Sequence, residues 1–257
     1  MRQGQYAIDR TRAAVGVESR VQALLFSAAR RIVALSSKHR RGSKVISEAG
    51  FLREARGITA ALTDSVEAEI ARYARAAATS LGISADNIES FLVSDVYGLS
   101  SRERNAKYLA NFAEDIVRMT KAGILMGYTD QKILSAVRTG YKNPYVTSVI
   151  TKARKKDINI ATPSYGRGIF HSAYQNIARN ARQMVALAWG RAEQQYGMEH
   201  GAIGFRSYRG SSYPCPICDD ETTYLHHFGD PFPPYHNNCV CYIKFVYKDS
   251  PDEEPPQ

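Results

Sequence analysis

All four cysteines of the chain, Cys215, Cys218, Cys239 and Cys241, fall within 27 positions, and His236 stands among them. The pattern is C-x2-C, then 17 residues, then H-x2-C-x-C. A C-x2-C turn aims two sulfurs at one point, and Pro214 and Pro216 stiffen it here. His236 and Cys239, three apart, can form the second half of a claw. Zinc takes four such ligands tetrahedrally, with sulfur at about 2.3 Å and nitrogen at about 2.0–2.1 Å. Five donors compete for four places. One set is Cys215, Cys218, His236 and Cys239. The other replaces His236 by Cys241, because residues 239 and 241 share a face if they lie in a strand. Five candidates argue against the open position of a catalytic zinc, so the expectation is a structural zinc ion. A disulfide framework would need an oxidising compartment, and the start MRQGQYAIDRTR has no apolar stretch of an export signal.

Next to this cluster lies His226-His227. A His pair beside a metal knuckle is also a feature of His-metal-finger nucleases, where the histidine activates water beside a divalent cation. His236 and Asn237 follow, but no histidine lies beyond them. With His236 used on zinc the nuclease set is incomplete. The two histidines are then surface residues of a loop, and Asp219-Asp220-Glu221 is a solvated acidic loop. No catalytic residue is assigned.

Charge divides the chain. Residues 201–257 hold four basic and eight acidic side chains, whereas residues 1–200 hold 30 and 17, a net +13. Eight of the ten prolines also lie beyond 201. The basic residues cluster at Arg30 and Arg31, at Lys38, Arg40, Arg41 and Lys44, and at Lys152, Arg154, Lys155 and Lys156. With little aromatic interleaving, such clusters suit non-specific contact with duplex DNA phosphates rather than base readout. No apolar run approaches the roughly 18 residues of a membrane span, and a soluble, non-exported protein is expected.

The first 200 residues carry three- and four-residue apolar spacing. It predicts helices over 6–36 (stripe Val17, Val21, Leu24, Leu25, Ala28, Ile32, Leu35), 47–81 and 84–91, with Gly42 and Gly82 as stops. Ser100 and Glu103 form a capping-box pattern that opens a helix to about Leu125. Shorter helices follow at 129–138 and 144–154. After an irregular 155–168, a helix of about 42 Å by its rise per residue is expected from 169 to 196, ended by Gly197. FRSYRGSSYP and CVCYIKFVYK alternate as strands do, and the tail SPDEEPPQ has the composition of a disordered segment. The domains read as 1–165, a basic helical region; 166–200, an Arg-rich helix; 201–248, a zinc-knuckle β module; and 249–257, an acidic tail. The fold class is mainly α with a small C-terminal zinc-bound β module.

Residues 170–245, ordered as Arg-rich helix, glycine, strand, C-x2-C and Pro233-Pro234-x-His236-x-x-Cys239-x-Cys241, resemble the phage head-morphogenesis family, the Mu-F-like minor head proteins. Members usually read His-Pro-x-Cys-Arg-Cys where this chain reads His-Asn-Asn-Cys-Val-Cys. The resemblance implies a capsid-associated minor head protein. It would act near the portal or major capsid protein in head assembly, DNA packaging or delivery. It would be found in the virion and, during assembly, in the host cytoplasm. It implies no catalysis.

Overall fold

The computed structural model describes residues 3–42, 44–45, 47–96, 98–140, 144–158, 160 and 172–248. In chain order the helices are α1 (Gln3–Leu35), α2 (Glu48–Ala60), α3 (Thr63–Leu81), α4 (Asp86–Val93), α5 (Ser101–Leu125), α6 (Asp130–Thr139), α7 (Ser148–Arg154), α8 (Ala173–Glu199) and α9 (Pro216–Asp220). The strands are β1 (Arg40–Arg41), β2 (Lys44–Val45), β3 (Asp95–Val96), β4 (Leu99–Ser100), β5 (Gly204–Tyr208), β6 (Leu225–His226) and β7 (Tyr242–Val246). The chain is mainly α with a small C-terminal sheet. Among the described residues no helix is long and apolar enough to cross a membrane.

Two compact units emerge. One is drawn from Met1–Glu18, Glu69–Asp95 and Ala181–Gln257, the other from Ser19–Ala68 and Val96–Asn180. The compositional change near residue 201 therefore marks the passage from helix to strand and not a boundary between units, because the sheet's apolar face is covered by the helix that precedes it. The expected tail 249–257 and most of 155–168 lie outside the described residues.

In the second unit α5 is the central helix, packed by α2, α6 and α7. Its start is fixed by Ser100, whose side chain accepts from the Glu103 amide while the Glu103 carboxylate accepts from the Ser100 amide. This is the expected capping box, and it satisfies two orphan donors of the first turn. Asp115 accepts from the Tyr145 hydroxyl at 2.6 Å and from the Ala173 amide at 3.2 Å, which anchors the start of α8.

The expected helix over 47–81 is two helices. Neither glycine nor proline marks the break. The Thr59 hydroxyl bonds the Arg56 carbonyl, and the Leu62 amide reaches back only three residues, to Thr59. Side-chain competition for a carbonyl is a known cause of bending. After α1, β1 and β2 pair antiparallel, Arg40 with Val45 and Arg41 with Lys44, with Gly42 at the tip at φ +59°.

In the first unit α8 runs past Gly197. A Cβ there would come within 2.3 Å of the Phe245 ring, so the glycine provides room for packing rather than a stop. The helix closes at Gly201, φ +76°, where the Ala202 amide bonds the Gly197 carbonyl in the left-handed C-terminal motif. The sheet order is β6-β5-β7, all antiparallel. Phe205 opposes Phe245 and Ser207 opposes Ile243 on the buried face, while Arg206 and Lys244 share the other. Phe205, Ile243 and Phe245 form the sheet's core, with Tyr196, Phe228 and Phe232 against them.

α8 itself is no free arm. Ile177, Ala181, Val185, Ala188, Trp189 and Ala192 are buried along it, and Arg182 is bound to Glu18 at 3.0 Å.

Candidate metal centre

The knuckle is built by α9. Cys215 is its N-cap residue, Pro216 holds the first helical position where no amide donor is needed, and Cys218 sits in the first turn. The Asp219 amide closes the turn on the Cys215 carbonyl at 2.9 Å. Arg209 braces it from outside, donating to the Asp219 carboxylate and the Tyr213 carbonyl. Asp219 and Asp220 are thus helical rather than part of a loop. The second half of the claw is also a turn. The Cys239 amide bonds the His236 carbonyl at 3.1 Å, and Asn238 between them takes φ 63°, a conformation asparagine tolerates better than most residues. Cys239 and Cys241 precede β7 and are not in a strand, so strand parity does not account for their proximity, and the turn joins His236 to Cys239.

Two donor triads result. Cys215, Cys218 and His236 form one, and Cys218, Cys239 and Cys241 the other. Within each, the ligating atoms lie inside 4.8 Å of one another. Cys218 belongs to both. Its sulfur is 3.8 Å from that of Cys239 and 2.9 Å from His236 Nε2, which is 3.2 Å from the Cys215 sulfur. A tetrahedron with sulfur bonds of about 2.3 Å has an S–S edge of about 3.8 Å and an S–N edge of about 3.5 Å. The cysteine edge already fits, and the imidazole needs only a small outward shift. All four cysteines are free thiols, three of them buried. The group can hold a metal ion.

Hydrogen bonding prepares the donors. His236 Nδ1 lies 2.8 Å from the Asn237 carbonyl. A carbonyl only accepts, so Nδ1 carries the proton and Nε2 presents its lone pair to the cysteines, the usual arrangement of a histidine ligand. Burial works against a charged His236, but the Asn237 carbonyl and the Cys239 and Cys215 sulfurs outweigh it and raise its pKa. The Cys239 thiol is pulled down to about 5, chiefly because the Cys241 thiol donates to it. Cys241 is pushed far up by that same bond and by burial. Burial raises Cys218 to about 12. The Cys215 thiol is lowered by the Cys218 amide. Within the Cys218, Cys239 and Cys241 triad the fold therefore favours the thiolate at Cys239.

The histidine pair splits. His226 is in β6, fully buried, not on the surface. Its Nε2 lies 2.7 Å from the Glu221 carbonyl, and its ring stacks on Phe205 with centroids 4.7 Å apart. The requirement for an aromatic, hydrogen-bonding filler opposite Phe205 accounts for it. His227 is exposed, with its amide donating to Asp230. Among the described residues neither histidine joins a group of donors that could hold a metal.

All ten basic candidates lie in the second unit. Arg30, Arg31, Lys38, Arg41, Lys44, Lys152, Lys155 and Lys156 are exposed. Arg40 is half-buried and 3.6 Å from Asp130. Arg154 is exposed too, but it donates to the carbonyls of Ile160 and Tyr145 and so serves the fold. The pattern of the sequence did not single out Arg10, whose guanidinium donates to the Cys241 carbonyl. Protein-family models, curated proteins and solved structures offer no match to this chain.

Proposed function

We propose that the chain is a structural, zinc-clipped assembly protein, a minor head protein of a tailed phage acting near the portal. The observation that carries the reading is the donor cluster that closes the sheet. It stands in the order of motifs on which the resemblance to the head-morphogenesis family rests, and its two triads, joined at Cys218, offer five donors for four places, which argues against an open coordination position. Zinc suits the set, because thiolate and imidazole donors at tetrahedral spacing are its usual partners. Cys215, Cys218 and Cys239 take three places. His236 takes the fourth, supported by the Nδ1 bond that aims Nε2 at the cysteines. The metal supplies rigidity to a sheet of three short strands, and the exposed cations of the second unit meet DNA phosphates without reading bases.

Mass spectrometry of purified particles and their precursors tests the assignment. The protein is expected in both at far fewer copies than the major shell protein, crosslinked to the portal or its neighbours. Its absence from virions and proheads alike would defeat the reading. So would metal-dependent plasmid cleavage that disappears in a folded His227→Ala variant.

A further inference from the structure

Arg10 is 1% exposed, one of the largest fully buried side chains in the protein. A guanidinium is almost never buried without a task. Its Nη2 donates to the Cys241 carbonyl, and its Nη1 lies 3.8 Å from the Glu193 carboxylate of α8, also 1% exposed. One turn earlier on α1, the Tyr6 hydroxyl donates to the Trp189 carbonyl at 2.8 Å, and the two rings pack at 4.9 Å. Residues 3–18, the part of α8 from Ala181 onward and the 239–241 segment belong to one compact unit. Cys241 follows the ligand Cys239 by two residues. The only charged side chain bonded to the backbone of that segment, among the described residues, therefore comes from the opposite end of the chain.

We infer that Arg10 is a positioning residue for the metal centre, and that metal occupancy and the docking of residues 3–18 are thermodynamically coupled through it. This rests on the metal reading above. A bond from Nη2 to the Cys241 carbonyl restricts the backbone that delivers the Cys239 sulfur, as outer-shell hydrogen bonds do at metal sites, where their loss typically costs about 10–100-fold in affinity. The coupling is reciprocal: whatever detaches the N-terminal segment weakens the metal site, and removing the metal loosens that segment.

Zinc affinity of the full chain, measured by competition with a chromophoric chelator, is the first readout. Arg10→Met keeps the bulk and removes the donor, and is expected to lower affinity at least about tenfold. Arg10→Lys, whose ammonium still reaches a carbonyl, should recover most of the loss. Hydrogen exchange of the wild-type chain is the second readout and needs no variant to fold. On chelation, amides in 3–18 should exchange faster while those of α5 do not change. Unaltered exchange in 3–18, or wild-type affinity in Arg10→Met, overturns the inference and leaves the metal reading standing. A wild-type chain that binds no zinc sinks both.

Discussion

Cys218 lies in both donor triads, so its removal breaks the cluster however the fourth place is filled. Purified protein is expected to hold about one zinc per chain by elemental analysis. Cys218→Ser should abolish this and unfold the sheet module, since metal binding and folding are one process in such sites. Cys241→Ser should retain the metal, and His236→Ala should not. The reverse outcome would place Cys241 in the fourth position. Glu193 makes a different prediction. Burial, opposed only in part by Arg10, raises its carboxyl from 4.5 to about 7. The fold thus holds that proton more tightly than the unfolded chain does. The stabilisation is complete below pH 4.5 and is lost as pH rises towards 7. The facing titratable groups are Tyr6, kept neutral by its own burial, and Arg10. Urea unfolding across this window should show the wild type losing about 1–3 kcal/mol relative to Glu193→Gln. Metal release at low pH affects both proteins and drops out of the difference. A constant difference across the window would show that the carboxyl titrates normally.

At the scale of elements, Gly190 sets propensity against packing. In a helix interior alanine is favoured over glycine by about 1 kcal/mol. Here a Cβ would lie 2.4 Å from the Pro233 carbonyl oxygen, a backbone atom that cannot swing away. Gly190→Ala is therefore expected to destabilise by about 1–3 kcal/mol, and a rise in Tm would refute the close approach. The same contrast explains what the sequence made legible. The helices and the capping box at Ser100 were readable, because apolar spacing and a Ser–Glu pair act within one or two turns. The cysteine cluster was readable because thiols and imidazoles are rare and chemically distinctive. The break at Ala61-Leu62 was not, since no residue type marks it. Gly197 was misread as a stop because its role depends on a ring 48 positions away. His226 was misread as exposed for a similar reason: its place against Phe205 is set by strand register, which neither short segment announces. Arg10 and Glu193 are 183 positions apart, and no local pattern joins them.

For the whole molecule, the distribution of charge predicts a binding behaviour. Nine of the ten clustered cations are exposed, all in one unit. The full chain should bind duplex DNA of any sequence, with affinity falling steeply as salt rises. Charge reversal at Arg41 and Lys44, which sit opposite each other on β1 and β2, should weaken binding to all sequences alike and flatten the salt slope. Arg154→Glu should instead damage the fold, because that side chain holds two carbonyls. Failure of the full chain to bind at low salt would assign the charge to an acidic protein surface. The full chain is the right material for this measurement, as truncation near residue 200 would remove a large part of the first unit.

The division of that unit among three stretches of sequence has a consequence for biosynthesis. Residues 3–18 are made before their partners on α8 and beyond Cys239, which follow more than 160 residues later. At about 5–20 residues per second the delay is roughly 10–30 s. Throughout it the early helix carries Tyr6, Ala13, Ala14 and Val17, all buried in the finished protein, with only residues 69–95 of their own unit yet made beside them. The second unit has its last segment, up to Asn180, before translation of the partners begins. The second unit is thus complete in sequence before the first, whose sheet and candidate metal centre are made last.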